Sequence, residues 1–349
     1  MSGRTDVVPG SAQGMPNLAD AHWFPVDIHV PRRECGFLPI GHDVLERSTF
    51  LDTRMEAPLQ DAVTVSLEAA SRAAMPAAPV AWLFHTSFCC STLLARMLHI
   101  PPFQVALKEP LVLRRLADAR HANWQLDGLI EPVVRLLARP WDDNGAVVIK
   151  PTHAALNIAV DLLGACPESR AVILTSSLND FLISNLKKSA EIHAKIPTLA
   201  ERALQAGSFQ GRLSAKALAP PDLIAAAALQ WAAQRELCTD VTAAVGPQRL
   251  RILDATAVLD DPLVAAWQCA QWLRLPVPRE VLEKRVDATS HSNAKALDAS
   301  YSADRRSAEM RMIRAQYGDQ ISAASRWFDR MVLPAMRVEA FTIPEWQDL

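Results

Sequence analysis

Five short apolar runs rich in β-branched residues, PVAWLF (79–84), FQVAL (103–107), AVVI (146–149), AVILT (171–175) and LRIL (250–253), recur along the chain. Between them lie longer segments of helical periodicity, among them LVLRRLADA, ALNIAVDLLGA, DFLISNLKK and DPLVAAWQCAQWL. That alternation predicts an α/β, three-layer fold: a central, mainly parallel sheet flanked by helices on both faces, with functional loops at the C-terminal ends of the strands. Around this unit the sequence predicts a disordered polar tail over 1–18, an N-terminal cap segment over 19–78, and a main domain over 79–349 that ends in a helical segment. The alanine-rich stretch 217–244 reads as one long packed helix.

Charge and cysteine usage narrow the function. With 36 basic and 38 acidic residues among 349, nothing suggests a surface for duplex nucleic acid or an anionic membrane, so any anion site must be local. Six scattered cysteines, two of them adjacent, do not form a secreted disulfide framework. The N-terminus lacks the pattern of a signal peptide, and LIAAAALQWAA is too short to span a bilayer. The expectation is a cytoplasmic protein without membrane insertion.

The first apolar run leads through HTSFCCST into a helical pattern, the layout of a phosphate-binding turn, because a turn feeding a helix N-terminus aims several N–H groups at one spot. The residues Thr86, Ser87, Phe88, Cys89, Cys90, Ser91 and Thr92 are the candidates for that role. Ser91 and Thr92 could equally just cap the helix. Cys89 and Cys90 read as small turn formers, since their spacing suits no common metal site.

Three further strand tips carry polar residues. Glu109 follows the second run and precedes a helix opened by Pro110, where a carboxylate can cap, pair with Lys108 or Arg114, or act as a base. Lys150 and His153 follow the third run as KPTH, offering a point charge for an anionic group and a proton acceptor. Ser176 and Ser177 leave the fourth run, Asn179 or Asp180 can cap the next helix, and Ser184 lies on its early turns.

In this order the motifs resemble those of the P-loop sulfotransferase superfamily, over roughly residues 79–290. The family's 5′-phosphosulfate loop resembles Phe88, Cys89, Cys90, Ser91, Thr92; its Lys with nearby Pro and His resembles Lys150 to His153; its 3′-phosphate motif resembles Ser176, Asp180, Ser184. A later acidic strand with D-P and a helix resembles RILDATAVLDDPLVAAWQCAQWLRLP. The chain departs from the family in having Phe88 for the basic loop residue, Cys90 for the glycine and Ser176 for the arginine. Arg96, Lys150, Lys187 or the basic stretch HSNAKALDASYSADRR are the candidates to compensate.

The resemblance implies a P-loop NTPase-like fold and 3′-phosphoadenosine 5′-phosphosulfate as co-substrate, with no metal. It implies an acceptor hydroxyl or amine on a small molecule or glycan, and a homodimer is possible. Lys150 would then stabilise charge on the transferred group, with His153 as base and Glu109 as second choice. The segment from Thr86 to Thr92 would hold the 5′ end of the donor, and Ser176 and Ser184 its 3′-phosphate. The two rivals are a sulfotransferase-like binding or scaffold protein without activity and a P-loop phosphotransferase; the latter would want a loop lysine, which CCST lacks.

Overall fold

The computed structural model describes residues 16–74, 77–290, 292–293, 296–300, 303–343 and 346. Three strands come first, β1 (Trp23–His29), β2 (Glu34–Pro39) and β3 (Val63–Ser66), paired antiparallel in the order β1-β2-β3. The five apolar runs follow as β4 (Val80–His85), β5 (Gln104–Lys108), β6 (Ala146–Lys150), β7 (Arg170–Thr175) and β8 (Leu250–Asp254). They form one wholly parallel sheet of order β5-β6-β4-β7-β8.

Alternation along each strand explains why the runs are continuously apolar. Trp82, Phe84, Val105, Leu107, Val147, Ile149 and Ile173 belong to one buried cluster, and Ala81, Leu83, Ala106, Val148, Val172 and Leu174 to another, so both faces of the sheet are covered. The helices Leu111–His121, Ile130–Leu137 and Ala159–Ala165 pack on the first face. On the second lie Ser91–Met97, Pro262–Trp272 and Arg279–Ser290. Fully burying a side chain such as Leu83 or Ile149 contributes about 1.5–3 kcal/mol, so the sheet is the energetic centre of the molecule.

A third cluster joins the helices Leu178–Leu186, Ile196–Gln205, Leu223–Val245 and Ala303–Met331. The long alanine-rich helix starts later than the sequence suggests, because Asp222 caps it by accepting from the amides of Ile224 and Ala225 at 2.9 and 2.8 Å, just after Pro220 and Pro221. The antiparallel sheet shares the first core cluster. The guanidinium of the buried Arg139 fastens its approach by donating to the carbonyls of Leu18, Asp20 and Trp23 at 2.9, 2.8 and 2.7 Å. The tail expected over 1–18 therefore falls mostly outside the described residues, and Leu18 is already in the core.

Strand order fixes where a ligand belongs. From β4 the chain passes to β5 on one side of the sheet, and from β7 to β8 on the other, so the connections diverge at the C-terminal ends of β4 and β7. In open parallel sheets the crevice at such a divergence is where ligands bind. The segment Thr86–Cys90 leaves β4 there.

Candidate active site

The loop after β4 is held from both sides. The Thr86 amide donates to the Leu174 carbonyl at 2.9 Å, and the Thr86 hydroxyl lies 3.5 Å from that of Thr175. Ser87 is clamped by the long helix: its amide donates to Gln234 Oε1, and Gln234 Nε2 donates to its hydroxyl, both at 3.2 Å. Phe88 and Cys90 both take left-handed backbone, φ 58° and 61°. Such a conformation costs an ordinary residue roughly 1–2 kcal/mol, so neighbouring contacts must hold it. The Phe88 ring meets that of Phe181 edge to face at 5.5 Å, and the Cys89 thiol donates to the Thr86 carbonyl at 3.1 Å. Among the described residues the amides of Phe88 and Cys89 meet no acceptor.

Ser91 and Thr92 do not serve as caps. Cys90 occupies the N-cap position without a capping bond from its side chain, and both hydroxyl residues are buried in the first turn. Burial pushes the Cys89 thiol up to about 12, which leaves it protonated and suits a turn former. Arg96 lies in the last turn of the same helix, facing Glu46 at 4.0 Å, at the end away from the loop.

On the other side of β4 the register of β5 and β6 pairs Lys108 with Lys150, which brings the next residue, Glu109, alongside the lysine. The Glu109 amide donates to the Lys150 carbonyl at 2.6 Å, with Glu109 in left-handed backbone at φ 56°. Lys150, fully buried, donates from Nζ to Glu109 Oε1 at 2.5 Å and to His85 Nε2 at 3.0 Å. Glu109 thus pairs with Lys150 rather than with Lys108 or Arg114. His85 Nδ1 lies 2.8 Å from the Thr86 carbonyl, an acceptor only, so Nδ1 carries the proton and Nε2 accepts.

Electrostatics divides the labour among these groups. Burial pushes His85 down to about 3, assisted by the charge of Lys150. Burial likewise pushes His153 down to about 4. Burial alone would raise Glu109, but Lys150, His85 and His153 together outweigh it, Lys150 foremost, and hold the carboxyl down at about 2. At neutral pH Glu109 is therefore ionised and both imidazoles are neutral. His153 opens the short 3₁₀ turn His153–Ile158, and its ring centroid stands 6.3 Å from that of His85. Lys108 is used differently: burial lowers it to about 7, and it donates to the Leu45 carbonyl at 2.6 Å.

The N-terminal segment supplies a wall that the sequence did not suggest. The Leu51 amide donates to the Lys108 carbonyl at 2.6 Å, and the Leu111 amide to the Leu51 carbonyl at 2.9 Å, which threads the segment across the strand tips. Phe50 then lies with its ring 5.9 Å from Lys150 Nζ, and the Arg54 guanidinium, anchored by the buried Asp52, stacks on that ring at 3.9 Å.

Beyond β7, Ser176 is buried and its hydroxyl has no partner among the described residues, while the indole of Trp231 donates to its carbonyl at 2.8 Å. The helix Leu178–Leu186 is capped by Ser177, whose hydroxyl accepts from the Asp180 amide, not by Asn179 or Asp180 as expected. Ser184 is half-buried on that helix. Lys187 donates to Glu309 at 3.2 Å, and Lys188 stands 5.4 Å from the centroid of the Phe88 ring. The basic stretch 291–306 lies outside the residues whose side chains are described. Among the described residues no three His, Cys, Asp or Glu side chains gather as a metal site would require, and no helix is long and apolar enough to cross a membrane.

The chain matches no family model and no curated protein sequence. Solved structures similar to it include three sulfotransferases. The sulfotransferase domain from the curacin biosynthetic pathway is 12% identical over 70% of this chain and 98% of that one, with a TM-score of 0.39. A sulfotransferase from Alicyclobacillus acidocaldarius is 12% identical over 75% of this chain and 100% of that one, with a TM-score of 0.37. Sulfotransferase STF1 from Mycobacterium tuberculosis H37Rv is 12% identical over 71% and 78%, with a TM-score of 0.34. Likeness at this level carries no statement about chemistry, which has to rest on the residues themselves.

Proposed function

We propose that the chain is a sulfotransferase that moves a sulfuryl group from 3′-phosphoadenosine 5′-phosphosulfate to a hydroxyl or amine of a small-molecule or glycan acceptor. The observation that carries this reading is the convergence of Lys150, Glu109 and His153 beside the loop Thr86–Thr92, at the strand tips where a parallel sheet opens its crevice. The residues fit an anionic nucleotide at two places. The Phe88 and Cys89 amides lack acceptors within the loop, and the Ser176 hydroxyl is a buried donor lacking one of its own.

In this reading the donor supplies the sulfuryl group, and the chain's own residues position and neutralise. The loop from Thr86 to Thr92 holds the 5′ end, and Ser176 with Ser184 the 3′-phosphate. Lys150, fixed between His85 and Glu109, places a positive charge where negative charge grows. His153, neutral at working pH, accepts the proton of the acceptor hydroxyl. Glu109 is the poorer base, because its bond to Lys150 keeps it ionised and weakly basic.

One observation favours a second reading, a nucleotide-binding protein without activity. Lys150 is fully buried and bonded to His85 and Glu109, and the Ser87 amide is already taken by Gln234, so part of the machinery is satisfied internally. A transfer assay separates the two. With labelled donor and a panel of phenols, alcohols, amines and sugars, the wild type should label at least one acceptor, and His153→Ala should lower the rate on the order of 10²- to 10⁴-fold. No transfer to any acceptor would leave the binding reading.

A further inference from the structure

We infer that His85 is a positioning residue that fixes the Lys150 ammonium and ties it to the loop after β4. This rests on the sulfuryl-transfer reading for its effect on rate, but the link itself is a matter of geometry. His85 is the last residue of β4 and shares one face of the sheet with Lys150, the last residue of β6. Its two ring nitrogens are used in opposite senses. Nδ1 donates to the Thr86 carbonyl at 2.8 Å, which compels Nε2 to accept, and Lys150 Nζ donates to it at 3.0 Å.

The charged and titratable groups facing His85 come from three elements: Lys150 at the end of β6, Glu109 after β5 with Oε1 3.6 Å from Nε2, and His153 after β6. An imidazolium here would set two cations together in a buried site with one carboxylate between them. The neutral ring avoids that and supplies the acceptor a buried ammonium needs. Without it, Lys150 loses its tie to the residue that leads into the loop, and the placement of its charge beside the loop loosens. Because the Thr86 carbonyl also accepts from the Cys89 thiol, the loop backbone and the lysine are held by one chain of hydrogen bonds running through His85.

The test has a spectroscopic arm and a kinetic arm. The full chain, with its nine histidines labelled with ¹⁵N, is titrated from pH 8 to pH 5 and the His85 signals are identified by their loss in His85→Gln. The expected result is a neutral ring protonated on Nδ1 that does not titrate in this range. A ring protonated on Nε2, or one titrating near the ordinary 6.5, overturns the inference. In the kinetic arm His85→Leu removes the acceptor and His85→Gln replaces it with an amide oxygen. His85→Leu should lower kcat on the order of 10- to 100-fold, the worth of a hydrogen bond to a charged group. Gln should recover most of that loss. Equal kcat in the two variants overturns the inference. A wild type that transfers nothing sinks the sulfuryl-transfer reading instead, and the ring spectra still decide the link.

Discussion

Lys150 and Glu109, 41 residues apart in sequence, meet at 2.5 Å at the tips of adjacent parallel strands, with the lysine fully buried. Removing one partner of such a pair strands the other charge. Lys150→Met or Glu109→Gln alone should therefore cost about 3–5 kcal/mol in urea unfolding, and the double variant distinctly less than the sum. Additive losses would mean that the two side chains do not interact.

The neutral histidines make stability depend on pH in a definite direction. His85 binds its proton at about 3 in the folded chain against 6.5 ordinarily, so between those values the unfolded chain holds the extra proton. Stability is lost as pH falls through that window, and Glu109, held at about 2 against an ordinary 4.5, acts in the same sense lower down. Urea unfolding between pH 5.5 and pH 4.5 should show a slope shallower by up to ~1.4 kcal/mol per pH unit in His85→Gln than in the wild type. An unchanged slope would contradict a buried neutral His85.

Gln234 should matter to the loop although it lies on a distant helix. It holds both the amide and the hydroxyl of Ser87, so Gln234→Leu leaves buried polar groups unpaired and should destabilise by about 1–3 kcal/mol. Thermal shift with the bisphosphate nucleotide should also shrink in this variant. A variant as stable as wild type would show that the loop is held by other contacts.

Cys89, with its thiol pushed up to about 12, should resist iodoacetamide in the native chain at pH 8 and react once unfolded. Cys89→Ser should keep the fold. Mass spectrometry of the alkylated protein decides, and rapid native labelling at Cys89 would mean the loop opens readily.

Much of the fold was legible because it depends on short-range pattern. The five apolar runs all became strands of the one parallel sheet, since a strand covered on both faces must be apolar at every position. The N-terminal antiparallel sheet was not legible: its strands hold prolines, such as Pro25 and Pro39, and pair across a loop of more than twenty residues between β2 and β3. Within the site, Lys150, His153 and Glu109 could be named individually from their places after strands. Their pairing could not, because it follows from the β5 to β6 register. His85 did carry a signal, a histidine ending an otherwise apolar strand beside the loop, and was read only as part of the turn's approach. Phe50, Arg54 and Gln234 left no local trace, since each reaches the site from an element far away in sequence.

The most direct measurement is a calorimetric titration of the full chain with 3′-phosphoadenosine 5′-phosphate, alongside Phe88→Glu and His153→Ala. Saturable binding at one site is expected for the wild type and for His153→Ala, whose role is in proton transfer rather than binding. Phe88→Glu, which sets a carboxylate beside the loop amides, should weaken it at least about tenfold, the effect of roughly 1.4 kcal/mol of like-charge repulsion. Absence of binding by the wild type at millimolar nucleotide, or equal affinity in Phe88→Glu, would contradict the assignment of this loop as the donor site.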